Sequence, residues 1–334
     1  WQQMQKDFHT PTPDKRKINR RVWYSMAAGV CVLMTLAGGI LLQQGKEKKS
    51  VPPMAQIEHV GKRSAQLIVS TGEVLDLSQK EIYQKAVDGT LITNDTLKLL
   101  SYQSETRKTN TTETNAPEKV NKETVYHTLR VPAGADYQVT LADGTKVWLN
   151  CESTLRYPVE FGNEKREVYL DGEGYFEVQS DREHPFYVST DGGVRVMAYG
   201  TKFNINAYED ESGIEAVLAK GKIDVISQNQ TVSLEPEKQA LFDKVTGKFT
   251  VSSVNLEEKI GWKDGRLVFR NTPLDVVLKK LSKRYNVDIV LHKTSNKEYK
   301  YRAAFTTETV EQILNYLKLT APIEWTVKGL EQNN

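Results

Sequence analysis

Three kinds of hydrophobic pattern succeed one another along the chain, and each predicts a different structure. From Val22 to Leu42, VWYSMAAGVCVLMTLAGGILL, the apolar run is broken by no charged residue and no proline. At about 1.5 Å per residue it makes a helix of about 31 Å, the hydrocarbon thickness of a bilayer, and in lipid an uninterrupted helix satisfies its own backbone. From residue 60 to about 250 the pattern changes to short alternating runs punctuated by Gly beside Thr, Asp or Lys, as in QLIVSTGEVLDL, QVTLADGTKVWL and EAVLAKGKIDVI. Alternation with such turn residues predicts strands. After Gly261 the apolar positions fall at helical spacing: Leu274, Val277, Leu278, Leu281 and Tyr285, then Val310, Ile313, Leu314 and Leu317. Short strands precede, separate and follow these two stripes, so the order is β-α-β-β-α-β, a small α+β module.

The resulting organisation is a basic tail at 1–21, a transmembrane helix at 22–42, a charged stem at 43–59, an all-β domain at 60–250 and the α+β module at 261–330. Within the β domain, 103–124 is almost free of aliphatic residues and reads as a flexible loop. Gln66, Leu67, Val69, Gly72, Leu75 and Leu77 recur as Gln138, Val139, Leu141, Gly144, Val147 and Leu149, a constant offset of 72 that predicts two copies of one strand-turn-strand unit. Asp171–Gly172 in REVYLDGEGYFEV and Asp191–Gly193 in PFYVSTDGGVRVMAYG are expected to be further turns. A sandwich and a solenoid-like stack both satisfy this pattern. In the module, Arg266–Phe269 is expected as a strand, Thr272 as the helix cap and Pro273 as the first helical residue, with later strands at VDIVL, Tyr299–Phe305 and Ile323–Val327.

Charge orients the anchor. Residues 1–21 carry six bases and two acids, with Arg20 and Arg21 abutting the span and Trp23 and Tyr24 at headgroup level. The heavier basic flank belongs in the cytoplasm, which sends everything after residue 42 to the periplasm. The run is longer than a signal-peptide core and lacks an Ala-x-Ala site, so it is expected to be uncleaved. The chain opens on Trp1, and further cytoplasmic sequence is expected before it. With the whole chain at +2 and the tail at +4, the remainder is −2, which argues against nucleic-acid binding. Cys31, inside the span, and Cys151 cannot pair, so no disulfide framework holds the fold. The five histidines show no ligand spacing, and no metal or cofactor is expected. The chain has no HExxH, GxSxG, P-loop or CxxC, and Gly172 with Gly174 lacks the third glycine of a dinucleotide loop. The pairs Asp171 with Glu173 and Glu160 with Glu164 read as solvated turn tips.

VPAGADYQVTLADGTKVWLNCESTLRYPVEF, REVYLDGEGYFEV, PFYVST and YGTKFNINAYED together resemble the FecR family of inner-membrane anti-sigma factors, over Tyr126 to about Asp243. WKDGRLVFRNTPLDVVLKKLSKRYNVDIV is similar to the domain that ends many FecR proteins, itself like the short N-terminal module of secretins and TonB-dependent transporters. The resemblance implies a relay. The signalling domain of a TonB-dependent outer-membrane transporter contacts the periplasmic part, and the cytoplasmic end controls an extracytoplasmic-function (ECF) sigma factor. It implies no turnover enzyme, though Gly200–Thr201 matches a Gly-Thr pair at which family members cut themselves, the Thr hydroxyl attacking the preceding carbonyl. Residues 1–21 are too short for the sigma-binding domain of that family. Ser25, Gly29 and Ala37–Gly39 allow close helix approach or unwinding for an intramembrane protease acting with periplasmic proteases, and regulated proteolysis is the expected route across the membrane, with rearrangement of a dimer second. The rival reading is a membrane-anchored glycan-binding or secretin-like structural protein of the envelope, with Trp148, Tyr157, Tyr169, Tyr175 and Trp262 as the sugar-facing aromatics.

Overall fold

The computed structural model describes residues 62–78, 83–87, 90–94, 99–104, 124–228, 230–293 and 298–329, all within one compact unit spanning 57–334. The predicted span with Arg20, Arg21, Trp23 and Tyr24, the basic tail and the stem lie outside the described residues. Among the described residues no helix is long and apolar enough to cross a membrane. Of the expected loop, Gln103 and Ser104 belong to a strand and 105–123 lie outside the description.

The β domain begins with β1 (Lys62–Arg63), β2 (Gln66–Ile68), β3 (Val74–Asp76), β4 (Tyr83–Val87), β5 (Thr90–Asn94) and β6 (Leu99–Ser104). It continues through β7 (Tyr126–Val131), β8 (Ala135–Thr140), β9 (Lys146–Leu149), β10 (Ser153–Pro158) and the long β11 (Arg166–Glu177). Then come β12 (Phe186–Thr190), β13 (Arg195–Ala198), β14 (Lys202–Ala207), β15 (Gly213–Lys220), β16 (Ile223–Ile226), β17 (Thr231–Leu234), β18 (Lys238–Asp243) and β19 (Lys248–Ser253). The pairings resolve the choice left open by the sequence into two sheets. One runs β3-β2-β7-β10-β11-β12-β13-β16-β17. The other runs β4-β5-β6-β8-β9-β11-β14-β15-β18-β19. After β11 the chain deposits strands in pairs, two on one sheet and two on the other, so the sandwich grows along its length as a solenoid does.

Strand β11 belongs to both sheets. Its first half pairs with β10 and β12, its second with β9 and β14. The expected turn at Asp171–Gly172 is therefore not a turn; the strand bends there and continues. Alternation holds through the bend, with Val168 and Leu170 buried before it and Gly174 and Phe176 after it. The reason is steric. Gly172 has φ 94°, and a Cβ there would overlap Ser153, lying 2.7 Å from its Cα. A Cβ on Gly174 would press on Phe176 and Leu170. Two inward glycines thus let the strand coil tightly around the core. Beside the bend, Phe176 stacks on Phe203 of β14 at 5.2 Å and meets Phe186 of β12 at 6.4 Å, joining the two inner faces.

The repeat is structural. In β2–β3 and β8–β9 the same bonds close the turn: Gly72 N–H donates to Val69 O and Gly144 N–H to Leu141 O, both at 2.9 Å, with φ 84° and 85°. Registers match as well, Leu67 opposite Leu75 and Val139 opposite Val147. The two hairpins lie in different sheets.

Beyond β19 come two elements the sequence reading missed, α1 (Leu256–Ile260), capped by the Asn255 side chain, and a 3-10 turn at Gly261–Asp264. The module follows as β20 (Leu267–Pro273), α2 (Leu274–Tyr285), β21 (Val287–Lys293), β22 (Lys300–Phe305), α3 (Val310–Lys318) and β23 (Glu324–Gly329). This is the expected order, arranged as two antiparallel pairs, β20 with β22 and β21 with β23. The predicted apolar stripes are the buried faces of α2 and α3. The predicted cap fails. Thr272 belongs to β20, where its hydroxyl accepts from Arg270 N–H and donates to Glu258, and Pro273 stands at the N-cap of α2 without a side-chain bond.

Gly172→Ala should cost about 3 kcal/mol or more, combining a positive φ with overlap on Ser153. Gly72→Ala, also at positive φ but with open space around it, should cost only about 1–2 kcal/mol. Urea unfolding of the two variants side by side tests the bend; equal losses would count against it.

Candidate functional site

The β domain and the module each have their own apolar core, and the two cores share no residue. Between them lies a polar junction. On the domain side it is built from the outer face of the second sheet and the loops beside it; on the module side, from α1, the 3-10 turn and the exposed face of α2.

At its centre is Glu173, on the outward side of β11 just past the bend. Asn150 Nδ2 donates to Glu173 Oε2 at 2.7 Å and Asn204 Nδ2 to Oε1 at 2.9 Å. Trp262 Nε1–H from the 3-10 turn donates to Asn204 Oδ1 at 3.3 Å. Loss of water pushes the Glu173 carboxyl up, opposed by Lys280 of α2 and the two amides. The expected pair of solvated turn tips is thus half right: Asp171 is exposed, whereas Glu173 is the hub of a network. Glu160 and Glu164 are exposed as expected. Beneath Glu173, its N–H is accepted by the buried Ser153 hydroxyl, and Tyr208 O–H donates to Cys151 O at 2.6 Å. Burial pushes the Cys151 thiol up to about 12, helped by Glu152 and Glu173.

Around this centre lysines of the module meet acids of the domain. Lys283 Nζ lies 2.9 Å from Glu152 and 3.3 Å from Asp210, and sits 3.8 Å above the Tyr208 ring. Lys279 lies 3.1 Å from Asp210, and Lys259 of α1 is 2.6 Å from Glu215. Lys263 lies over Tyr175 at 5.2 Å and Trp148 at 5.9 Å. One backbone bond completes the contact, Gly134 N–H to Lys283 O at 2.9 Å; Gly134 has φ 72°, and a Cβ there would crowd Asn286 at 3.0 Å. A cavity of about 470 Å³ opens beside it, lined by Glu152, Asp171, Tyr208, Glu209, Asp210 and Lys283. Burial alone would raise the Asp210 carboxyl, but bonds from Lys279 and Lys283 outweigh it and hold it low. Burial likewise opposes the Lys283 ammonium, and Glu152 with Asp210 more than restores it.

The five sugar-facing candidates do not share a surface. Tyr157 is core at 1 % exposure and Tyr169 lies on the outer face of the first sheet, beneath Arg156 and tilted against Tyr126. Trp148 and Tyr175 do meet, edge to face at 5.7 Å, yet beneath Lys263 of the 3-10 turn that also carries Trp262, with Tyr175 only 3 % exposed.

Gly200 and Thr201 lie apart from the junction, at the start of β14. Gly200 has φ 137°, and a Cβ there would fall 2.8 Å from Ser180 Cα. The Thr201 hydroxyl is buried and has no hydrogen-bond partner among the described residues. Thr201 O accepts from Val178 N–H at 2.9 Å. A cavity of about 340 Å³ alongside is lined by both residues with Lys146, Lys202, Lys220 and Glu177, the last paired to Lys202 at 2.9 Å. No group of three or more metal-ligating side chains occurs among the described residues.

Two predictions follow from the junction's chemistry. Cys151 should resist iodoacetamide at pH 8 in the folded protein and react once unfolded, as mass spectrometry reads directly. Because the Asp210 carboxyl is held low, the stability it lends is present above about pH 4 and is lost as pH falls through its folded value. Asp210→Asn should therefore flatten the acid limb of a stability–pH curve.

No curated protein matches the chain. Two crystal structures of a candidate anti-sigma factor from Parabacteroides distasonis, at 1.65 and 2.50 Å resolution, are similar to it with TM-scores of 0.54 and 26 % identity. The match covers 61 % of this chain and 99 % of that one in the first case, 62 % and 100 % in the second. The family described as FecR protein matches residues 127–224, and the family described as FecR, C-terminal matches residues 266–332. These segments are the two bodies that meet at the junction, and with both present the chain is a member of the FecR family.

Proposed function

We propose that the chain is an anti-sigma factor of the inner membrane, a regulatory binding protein that relays the state of a TonB-dependent outer-membrane transporter to a cytoplasmic ECF sigma factor. The observation that carries this reading is the tandem of a FecR domain and a FecR C-terminal module packed as one unit, together with its likeness to the Parabacteroides protein. The apolar run at 22–42 and its basic flank supply the connection to the cytoplasm, with Arg20, Arg21, Trp23 and Tyr24 fixing it in the bilayer. Sigma contacts belong to sequence on the cytoplasmic side. On the other side, every strand of the module has a partner along one edge only among the described residues. Strand addition by the transporter's signalling domain, clasped between module and β domain, is the recognition this geometry favours.

Transmission through one helix calls for cleavage, and intramembrane and periplasmic proteases are the proposed partners of that step. Self-cleavage at Gly200–Thr201 is supported by the left-handed glycine and the buried, unpartnered hydroxyl. The hydroxyl oxygen would add to the Gly200 carbonyl carbon and the C–N bond would break. The chain is then held by an ester and the Thr201 amine is freed; water next splits the ester into a new carboxyl terminus and the restored hydroxyl.

Purified full-length chain in detergent should capture isolated signalling domains of the transporters encoded beside it, and deleting its gene should change transcription from the neighbouring sigma-dependent promoter. Absence of both effects would refute the relay. For the cleavage step, intact mass of protein from cells should show two fragments that Thr201→Ala fuses into one; a single unbroken wild-type chain excludes it.

A further inference from the structure

Cohesion in this molecule is divided unevenly. Within each body it is apolar: the two cores are complete without each other, and α1, which bridges them, buries none of its residues. Across the junction it is made by ion pairs, polar bonds and lysines over aromatic rings, with Tyr175 and Tyr208 buried there outside either core. Lys259, Lys263, Lys279 and Lys283 from the module meet Glu152, Asp210, Glu215 and the rings of Tyr208, Tyr175 and Trp148 from the domain.

Two buried polar atoms mark the same region as incompletely matched. Asn206 Oδ1 and Gln239 Oε1 lie on the outer face of the second sheet, in register with Glu173 and, through Val217, with Asn204. Neither has a hydrogen-bond partner among the described residues. A contact meant to be permanent would fill such positions with apolar groups or complete their bonds, because each unmet buried group opposes closure. Polar interfaces between bodies that are each stable alone are the ones that open.

We propose that this junction is an electrostatic latch. In the resting molecule the lysines of α1, the 3-10 turn and α2 hold the module closed on the domain, and release lets the module swing while both cores stay folded. The closed form covers Trp148, Tyr175 and the Glu173 network; the open form exposes that face and frees the lysine side of α2. Attraction between exposed charges is screened within about 10 Å at 0.1 M salt and within about 3 Å at 1 M, so ionic strength acts on the exposed Lys279, Glu152 and Asp210 and less on the more buried Lys259 and Lys283. The inference does not depend on what the module binds.

The test uses the full chain in detergent micelles, with Cys31→Ser and spin labels on cysteines placed at the exposed Thr246 and Asn315; the native Cys151 is shielded. Wild type should give one narrow distance distribution at 0.05 M salt and a broader, longer one at 1 M. Lys279→Glu with Lys283→Glu should open the molecule at low salt and lower hydrogen-exchange protection of the Gly134 amide about tenfold. Adding Glu152→Lys and Asp210→Lys should restore the narrow distribution, which damage to α2 could not do. Should the reversed variant fail to fold, the wild-type salt series decides alone. A distribution unchanged by salt overturns the latch, as does failure of the four-fold swap to reclose it.

Discussion

The fold depends on one strand being able to serve two sheets. β11 is hydrogen-bonded to four others, β10 and β12 before Gly172 and β9 and β14 after it. Strands placed before it in the chain and strands placed after it therefore meet through a single backbone. The price of this economy is two glycines on the inward side, where a side chain would strike Ser153 or the Phe176 ring. What it secures is a core without a seam, with Phe203 stacked on Phe176 and Phe186 tilted against it where the sheets join.

The same bend sets the functional geometry. Just beyond it the outward positions of β11 are Glu173, Tyr175 and Glu177, and the first two become the floor on which the C-terminal module rests. A carboxylate held by two amides and a ring beneath a lysine make a surface that binds by charge and orientation. Such a surface fixes the pose in which the module docks on the domain. The rings of the expected sugar platform are divided by the same architecture. Strand alternation sends Tyr157 inward, Tyr169 to the far sheet, and Trp148 with Tyr175 beneath Lys263 of the 3-10 turn.

Sequence alone determined the strands, the two helices of the module and their buried stripes, because each of these follows from local periodicity: alternate positions facing a core, or every third and fourth. It also determined the 72-residue repeat, whose two copies close with the same backbone bonds, and the family likeness carried by short runs around the turns. Tertiary structure decided what periodicity cannot encode. Asp171–Gly172 looks like a hairpin turn, since Asp-Gly with flanking alternation is the usual signal for one; only the positions of Ser153 and Leu170 make it a bend in a continuous strand. Thr272–Pro273 looks like a helix start, but pairing with β22 draws Thr272 into a strand. Glu173 looks like a solvated tip, and becomes a hub because Asn150 and Asn204, distant in sequence, arrive on neighbouring strands. Local pattern fixes which way a side chain points; what it then meets depends on strands that only folding brings alongside.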